Sequence, residues 1–287
     1  MKIIDTHIHI WDFAKAEYEW LKGNTSLLNR TYSIEEVLPE MATCGIQAGI
    51  LVQAANNLED TDWMLEVAAR TPEIMGVVAW LPLQNPTETE RLLTEKYLQN
   101  PYFCGIRHLI HDEPDAKWLL QETVLESLAI LAKYQIPFDV VGILPAHIET
   151  VLEVSRLVPS LKMVFDHLNQ PPIATQEQFG QWGELIKQAA ANPNFYAKIS
   201  GLGVTSGNFT GWSSEDIKPY IAFALAHFGE DRCFFGGDWP VALLAGRYIP
   251  TWKKYEEVFN ELLSEEQKAK VYHRNAEGFY KKLHLPL

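Results

Sequence analysis

Eight short runs rich in β-branched and aromatic residues alternate with longer amphipathic stretches along this 287-residue chain. The runs span residues 3–10, 48–55, 74–81, 103–110, 137–143, 161–168, 195–200 and 233–239. Stretches between them, such as EDTDWMLEVAAR and PAHIETVLEVSRL, have the apolar spacing that is typical of helices. Parallel strands need long crossover connections, which are usually helical. The alternation therefore predicts an α/β fold, a closed (β/α)₈ TIM barrel. An open doubly wound sheet is the alternative, but no glycine-rich phosphate loop follows the first run.

We expect residues 1–287 to form a single barrel domain, because barrels of this kind run to about 250 residues as one unit. The chain is 47% hydrophobic, which is enough for a large core. Three cysteines stand in apolar runs without a CxxC pair, and we predict buried thiols for all of them: Cys44, Cys104 and Cys233. Three histidines in helical stretches or the tail are read as structural or solvated: His147, His227 and His284.

The charge balance argues against two classes of partner. The chain has 24 Lys and Arg against 37 Asp and Glu, a net charge of −13, which repels nucleic acid and anionic membrane surfaces. No apolar run approaches the roughly 20 residues of a membrane helix, and the first residues already carry a polar cluster in place of a secretory leader. We expect a cytoplasmic protein with a small-molecule substrate. The exposed face of the last helices is a candidate homodimer surface.

The first predicted strand contains the unusual stretch DTHIHI. Side chains alternate between the faces of a strand, so Asp5, His7 and His9 are predicted to share one face. Active sites of these barrels lie at the carboxyl ends of the strands. Other polar residues near those ends are Arg107, His108 and His111 after the fourth run, Asp166 and His167 after the sixth, and Asp238 after the eighth.

A His-x-His pair with a later histidine and a late aspartate is typical of a divalent-metal site. We therefore take His7, His9, His167 and Asp238 both as candidate catalytic residues and as candidate ligands of one zinc or manganese ion. Asp238 is also the candidate general base. The competing interpretation is a hydrogen-bonded structural histidine in each case, and for Asp238 a turn-forming cap.

Strand alternation limits which neighbours can face the interior together. It allows one of Asp166 and His167, and one of Arg107 and His108, to point inward. Arg107 is a candidate partner for a substrate carboxylate or carbonyl, with a rim salt bridge as the alternative. Three further candidate substrate contacts follow the same reasoning: Lys198, His111 and Trp239. For Lys198 the alternative is a side chain that reaches the rim.

Six motifs occur in an order that resembles one known family: DTHIHIWD, GIRHLIHDEPD, VFDHLNQPPI, YAKISGL, FGGDWPV and NAEGFY. The chain resembles the amidohydrolase-related family of the amidohydrolase 2 type, and within it the sugar-lactone and muconolactone-type lactonases. The likeness covers nearly the whole chain. It differs in FGGDWP, where FGSDWP is usual, and at His111, where glutamine often stands.

The resemblance implies a barrel of the metal-dependent-hydrolase type that opens a small cyclic ester by adding water. Asp238 would take a proton from water, and His7, His9 and His167 would bind a metal or polarise the carbonyl. The GIR and KxSG motifs place Arg107 and Lys198 at positions that contact substrate in the family. Some similar lactonases work without a metal, so zinc, manganese and no metal remain alternatives. The lysine that bridges two metals in wider relatives is absent from GIRH, which argues against a binuclear centre.

Three other functions compete with lactone hydrolysis. A metal-dependent, non-oxidative decarboxylase of an acidic substrate would use a similar site. A sugar-acid binding protein without catalysis would keep the barrel but would not need a poised base. A nuclease could also use His-x-His, but the net charge of −13 weighs against it.

Overall fold

The computed structural model describes residues 1–281, and it contains the eight predicted strands in one parallel sheet. The strands are β1 (Ile4–Ile8), β2 (Ala48–Val52), β3 (Ile74–Ala79), β4 (Phe103–His108), β5 (Phe138–Val140), β6 (Met163–Phe165), β7 (Phe195–Ile199) and β8 (Cys233–Phe235). They pair in sequence order. The sheet closes where Ile8 bridges in parallel to Trp239 and the amide of His9 donates to the Trp239 carbonyl at 2.7 Å. The predicted (β/α)₈ barrel is confirmed.

Helices connect the strands and cover the outside of the barrel. They are α1 (Leu38–Thr43), α2 (Leu58–Arg70), α3 (Pro86–Glu95), α4 (Glu122–Lys133), α5 (Pro145–Leu157), α6 (Gly180–Ala190), α7 (Leu202–Thr205), α8 (Ser214–Phe228), α9 (Tyr248–Leu262), α10 (Glu265–Ala269) and α11 (Asn275–Phe279). A π-helical turn, Lys270–Arg274, joins the last two. None of the helices within residues 1–281 is long and apolar enough to cross a membrane. The predicted end of the domain and His284 lie outside the described residues.

Local sequence explains where these helices begin. The Asn57 side chain accepts a hydrogen bond from the amide of Asp60 and caps α2, which buries Met64, Val67 and Ala68 against the sheet. The helix α5 begins with Pro145, whose fixed φ suits the first helical position and whose missing N–H needs no partner there.

The core has two layers. The larger layer lies between the sheet and the helices, and the smaller one fills the lumen of the barrel. Residues Ile50, Val52, Met75 and Phe234 are completely buried in the lumen, and Tyr280, just after α11, packs against the same cluster at the amino ends of the strands. The three cysteines are buried, as predicted. The lumen is therefore apolar near its amino end, and its polar residues lie toward the carboxyl ends of the strands.

Each predicted run extends beyond the carboxyl end of the strand that forms. The run 161–168 contains β6 but continues into a turn, and the run 233–239 outlasts β8 by four residues. The extra residues leave strand geometry, since φ is +53° at His167 and +61° at Asp238. Left-handed φ is uncommon outside glycine and often marks functional positions. Both residues are candidate site residues.

Candidate active site

An irregularity in β1 sets which of its side chains enter the lumen. Asp5 is opposite Gly49 on β2, but Ile8 is opposite Leu51, so three steps along β1 match two along β2. An extra residue of this kind breaks the alternation of side chains. His7 and His9 point into the lumen, whereas Asp5 points outward. The prediction that Asp5 shares their face is therefore wrong, because the bulge lies between Asp5 and Ile8.

The Asp5 carboxylate instead joins β1 to the segment that carries Asp238. It is completely buried and accepts hydrogen bonds from the amide of His7 at 3.0 Å, the amide of Gly237 at 2.6 Å and the Tyr248 hydroxyl at 2.6 Å. A Cβ on Gly237 would lie 2.2 Å from Asp5 Oδ2, so the close approach requires glycine there. The amide of Asp238 also donates to the His7 carbonyl at 2.7 Å. His7 and Asp238 are thereby fixed relative to each other.

The chain after β6 brings two adjacent residues to the site. Asp166 begins a short turn in which His167, Leu168, Asn169 and Gln170 all have φ between +50° and +53°. The turn rotates His167 toward the lumen while Asp166 still faces it. The prediction that only one of Asp166 and His167 faces the lumen is therefore wrong, because the strand ends at Phe165 and alternation no longer applies.

Three imidazole nitrogens surround one oxygen of Asp238. Asp238 Oδ1 lies 3.8 Å from His7 Nε2, 3.6 Å from His9 Nε2 and 3.7 Å from His167 Nε2. His7 Nε2 and His9 Nε2 are 3.0 Å apart. Asp238 Oδ1 is buried and has no hydrogen-bond partner among the described residues. We call these four residues the histidine cluster.

The Nδ1 sides of the three imidazoles face hydrogen-bonding partners. His9 Nδ1 is 2.8 Å from the Val52 carbonyl, which only accepts, so the proton is on Nδ1 and the lone pair is on Nε2. His167 Nδ1 is 2.8 Å from Ser200 Oγ, and His7 Nδ1 is 3.4 Å from Asp166 Oδ1. Partners of this kind orient the histidine ligands of metals.

Burial keeps the imidazoles neutral. It lowers the pKa of His9 to about 3, with the charge of Arg107 as the next cause, and it lowers the pKa of His7 and His167. Burial also raises the pKa of Asp238, an effect that His167 and Arg107 partly offset. Neutral imidazoles can bind a cation or accept a hydrogen bond.

The cluster fits a divalent cation. His7, His167 and Asp238 each offer a ligand atom, and these atoms lie within 4.8 Å of one another. With His9, the donor set is three neutral nitrogens and one carboxylate, whose oxygen Oδ1 has no hydrogen-bond partner in the part of the chain that the structure describes. Such a set suits zinc well.

A second polar group lies beneath the histidine cluster, and we call it the lysine cluster: Lys198, Asp139, Asp166 and Tyr280. Lys198 Nζ is 2.7 Å from Asp139 Oδ2 and 2.9 Å from Asp166 Oδ1, and the Tyr280 hydroxyl donates to Asp139 Oδ2 at 2.7 Å. Burial alone would lower the pKa of Lys198, but the two aspartates outweigh burial and raise it. Lys198 does not line the cavity, because its ammonium is paired below it.

Of the two neighbours on β4, Arg107 faces the lumen and His108 does not. Arg107 is 2% exposed, and its Nη1 donates to Asp166 Oδ2 at 3.1 Å. His108 stacks on Trp118 with ring centroids 3.9 Å apart and accepts a hydrogen bond from Trp80 Nε1. The rim salt bridge that we considered for Arg107 is thus replaced by a buried one.

A cavity of about 270 Å³ opens above the histidine cluster. His9, Arg107, His167 and Asp238 line it, and so does His111, whose Nδ1 is 3.1 Å from the Val141 carbonyl. Trp239 lies outside the cavity wall, because its ring packs edge-on against Tyr32 with centroids 5.4 Å apart. The rest of the wall is mostly apolar, with side chains that include Leu109, Val141, Ile143, Val204 and Val241.

Sequence reasoning missed several residues of the site. Gln170, Asp112 and Thr205 line the cavity, and Ser200 contacts His167. Gln170 stands three residues after His167 within the DHLNQ motif, and Ser200 directly follows β7. Their positions just beyond strand ends were a usable signal, because that is where these barrels build their sites.

Comparisons with known proteins agree with this fold. The chain is 29% identical to L-fucono-1,5-lactonase of Burkholderia ambifaria, with 97% of this chain and 95% of that protein aligned. It is 27% identical to L-rhamnono-gamma-lactonase of Scheffersomyces stipitis, covering 96% and 97% of the two chains. A crystal structure of an amidohydrolase from Burkholderia multivorans with bound zinc superimposes with a TM-score of 0.89 at 26% identity, covering 98% and 99%.

The family profile described as amidohydrolase matches residues 4–282, nearly the full length. This match agrees with the (β/α)₈ barrel. The predictions of family and of enzyme class are confirmed. The chain belongs to the amidohydrolase family.

Proposed function

We propose that this enzyme hydrolyses the lactone of a sugar acid. The observation that carries the proposal is Asp238 Oδ1, a buried carboxylate oxygen that has no hydrogen-bond partner within residues 1–281 and that faces the cavity and three neutral imidazoles. A base so placed can take a proton from water. The names of two relatives over nearly the full chain, an L-fucono-1,5-lactonase and an L-rhamnono-gamma-lactonase, support a lactone as the ester.

In the proposed reaction, Asp238 takes a proton from a water molecule as the water oxygen adds to the lactone carbonyl carbon. The carbonyl oxygen becomes an oxyanion, which Arg107 stabilises because its guanidinium lines the same cavity. The tetrahedral carbon then releases the ring oxygen, and Asp238 returns its proton to that oxygen. The product is an open hydroxy acid that ionises at neutral pH.

The candidate ligands of a divalent cation, zinc or manganese, are His7, His9, His167 and Asp238. When bound, it would supply Lewis-acid polarisation of the carbonyl oxygen. Asp238 and Arg107 would keep the roles described above. His9 is oriented by the Val52 carbonyl and His167 by Ser200, so both present Nε2 to the cavity without further movement.

The cavity wall supports a small substrate with polar and apolar parts. Polar contacts are available from His111, Gln170 and Thr205, and Val141 and Val204 offer apolar surface. A cavity of about 270 Å³ is close to the lower end of typical ligand sites, which suits a monosaccharide lactone and excludes an oligosaccharide from full burial.

The proposal is tested by acid release from a panel of lactones. Purified protein, with and without prior chelation, is mixed with L-fucono-1,5-lactone, L-rhamnono-γ-lactone and a muconolactone in a weakly buffered pH indicator. Asp238→Asn is the matched control, because it keeps the shape of the side chain and removes the base. We expect proton release from a sugar lactone with the wild type and almost none with the variant.

Two results would contradict the proposal. Release of carbon dioxide from a hydroxybenzoate, without proton release from any lactone, would indicate the decarboxylase instead. Saturable binding of a sugar acid without turnover of any lactone would indicate a binding protein. Activity that survives chelation would assign the chemistry to Asp238, Arg107 and the histidines alone.

A further inference from the structure

Two polar side chains of the cavity wall, His111 and Asp112, take no part in the proposed proton transfers. They belong to a short 3₁₀ helix, Ile110–Asp112, that begins two residues after β4 ends. Ile110 is buried in the layer between the sheet and the helices, and it anchors this short helix. His111 Nε2 lies 3.5 Å from Asp112 Oδ1. The two side chains therefore lie side by side at the cavity.

The backbone of β5 and the residue after it orient the His111 ring. His111 Nδ1 is 3.1 Å from the carbonyl oxygen of Val141, which only accepts, so Nδ1 carries a proton. Burial lowers the pKa of His111, although the carboxylate of Asp112 opposes this effect. The imidazole is therefore neutral at neutral pH, and its other nitrogen, Nε2, has a lone pair that can accept a hydrogen bond.

Asp112 supplies a second acceptor beside the first. Its ionised carboxylate can only accept hydrogen bonds. The next carboxylate, that of Glu113, contacts His108 at 2.7 Å and does not line the cavity. His111 and Asp112 thus present two acceptors 3.5 Å apart to a bound molecule. Adjacent hydroxyl groups on a sugar ring present two donors at a similar separation. A carboxylate has no proton to donate at neutral pH, and the charge of Asp112 repels it.

We propose that His111 and Asp112 accept hydrogen bonds from two adjacent hydroxyl groups of the substrate, and that they select neutral, hydroxyl-rich lactones over lactones that carry a carboxylate. The inference rests on the proposed function and narrows its substrate class. A site built to bind a hydroxyl group rejects an analogue without it, because the polar groups of the site are then left unpaired. Arg107 also lines the cavity, but it already pairs with Asp166, so its attraction for a substrate carboxylate is weakened.

The test measures binding of a sugar lactam, in which an N–H group replaces the ring oxygen of the lactone and slows hydrolysis. Isothermal titration calorimetry compares L-fucono-1,5-lactam with analogues that each lack one ring hydroxyl group. We expect the wild type to bind the full lactam about 10-fold more tightly than the analogues that lack either of two adjacent hydroxyl groups. The other analogues should bind like the full lactam.

Two variants assign these hydroxyl groups to their acceptors. Asp112→Ala removes the carboxylate, and His111→Phe keeps a ring but removes the acceptor nitrogen. Each variant should abolish the preference for one of the two hydroxyl groups. Asp231→Ala is the matched control, because Asp231 is an exposed aspartate near the amino end of β8 and its substitution removes the same charge. Asp112→Ala should also bind a carboxylate-bearing muconolactone about 10-fold more tightly than the wild type or Asp231→Ala binds it.

The outcomes separate this inference from the proposed function. Equal binding of all the lactams by the wild type, or no detectable binding of the full lactam, would overturn the hydroxyl site even if lactones are hydrolysed. The same preferences in the wild type, Asp112→Ala and His111→Phe would overturn it as well. Hydroxyl-dependent lactam binding that both variants alter would support the site even if no lactone were hydrolysed, and that result would contradict the proposed function alone.

Discussion

Two buried polar clusters lie in the same lumen, and they differ in whether their carboxylates contact a lysine ammonium. In the lysine cluster, Lys198 contacts Asp139 at 2.7 Å and Asp166 at 2.9 Å. In the histidine cluster, Asp238 Oδ1 has no hydrogen-bond partner among the described residues, and three imidazole nitrogens lie 3.6 to 3.8 Å from it. Buried polar groups are costly when unpaired. Asp139 Oδ1 also lacks a hydrogen-bond partner among the described residues, but Asp238 lines the cavity and Asp139 does not. We therefore interpret the Asp238 oxygen as the place where a reactant binds, and the ammonium that contacts two carboxylates as structural.

The largest expected effect comes from the unpaired oxygen. Asp238→Asn should lower kcat by about 10²- to 10⁴-fold, the contribution of a general base, and leave the free energy of unfolding nearly unchanged. Steady-state proton release and urea unfolding measure the two quantities. A variant that keeps more than a tenth of the wild-type kcat would remove Asp238 from the role of base.

The pH dependence of kcat/KM of the wild type tests independently whether Asp238 is the base. Burial raises the pKa of Asp238 above its usual 3.8, and the base acts when it is deprotonated. The value of kcat/KM of the chelated enzyme should therefore fall as the pH decreases, with its acid limb above pH 3.8. An acid limb at or below that value would argue against Asp238 as the group that titrates.

A substitution in the lysine cluster should instead lower the free energy of unfolding, which Asp238→Asn leaves nearly unchanged. Lys198→Met leaves two buried carboxylates without their shared cation, which costs about 3 to 5 kcal/mol of unfolding free energy. Urea unfolding measures the loss. The matched control is Lys22→Met, since Lys22 is exposed and its ion pair with Glu19 is screened by water and contributes little to stability. If Lys198→Met unfolds at the wild-type urea concentration, the paired cluster is not structural.

The difference between the clusters also explains what could be predicted from the sequence. Strands were identified because β-branched runs between helical stretches follow local rules, and all eight runs contain one. The residues His7, His9, His167 and Asp238 were identified because they lie at or just beyond strand ends. The lysine cluster was not recognised, because Lys198 and Asp139 are 59 residues apart and their pairing depends on the closed barrel.

The predicted alternation of side chains between the two faces of a strand was wrong where the backbone leaves strand geometry. The bulge after Asp5 turns that carboxylate away from the lumen, and the left-handed turn after β6 admits both Asp166 and His167. Neither feature follows from side-chain type, since none of these turn residues is glycine. Both are held by contacts distant in sequence, such as the bond from Gly237 to Asp5, 232 residues away.

Two glycines with positive φ distinguish the effect of displacing the histidine cluster from the effect of backbone strain alone. Gly201 has φ +63°, and a Cβ there would lie 2.6 Å from His167 Nδ1 and 2.9 Å from Asp238 Oδ2. Gly45 has φ +71°, and no atom of residues 1–281 outside its immediate neighbours would lie within 4 Å of a Cβ there. Both substitutions by alanine cost about 1 to 2 kcal/mol of strain. Only Gly201→Ala should lower kcat/KM, by about 10²-fold, because it displaces a reacting group. Equal kinetics in the two variants would show that the cluster tolerates displacement.

The smallest expected effect is that of a substitution at Tyr280, the member of the lysine cluster at the amino end of the barrel. The Tyr280 hydroxyl donates to Asp139 Oδ2 at 2.7 Å from the amino end of the barrel, on the far side of Lys198 from the cavity. Tyr280→Phe should cost about 2 kcal/mol of unfolding free energy, the contribution of a buried hydrogen bond to a charged group, and leave kcat and KM within about twofold. Urea unfolding and steady-state kinetics of one preparation measure both. A large loss of kcat with unchanged stability would mean that the two clusters act as one unit, because a change at Asp139 would then reach His7 through Lys198. Unchanged kinetics with reduced stability would mean that Lys198 isolates the reactive cluster from the structural one.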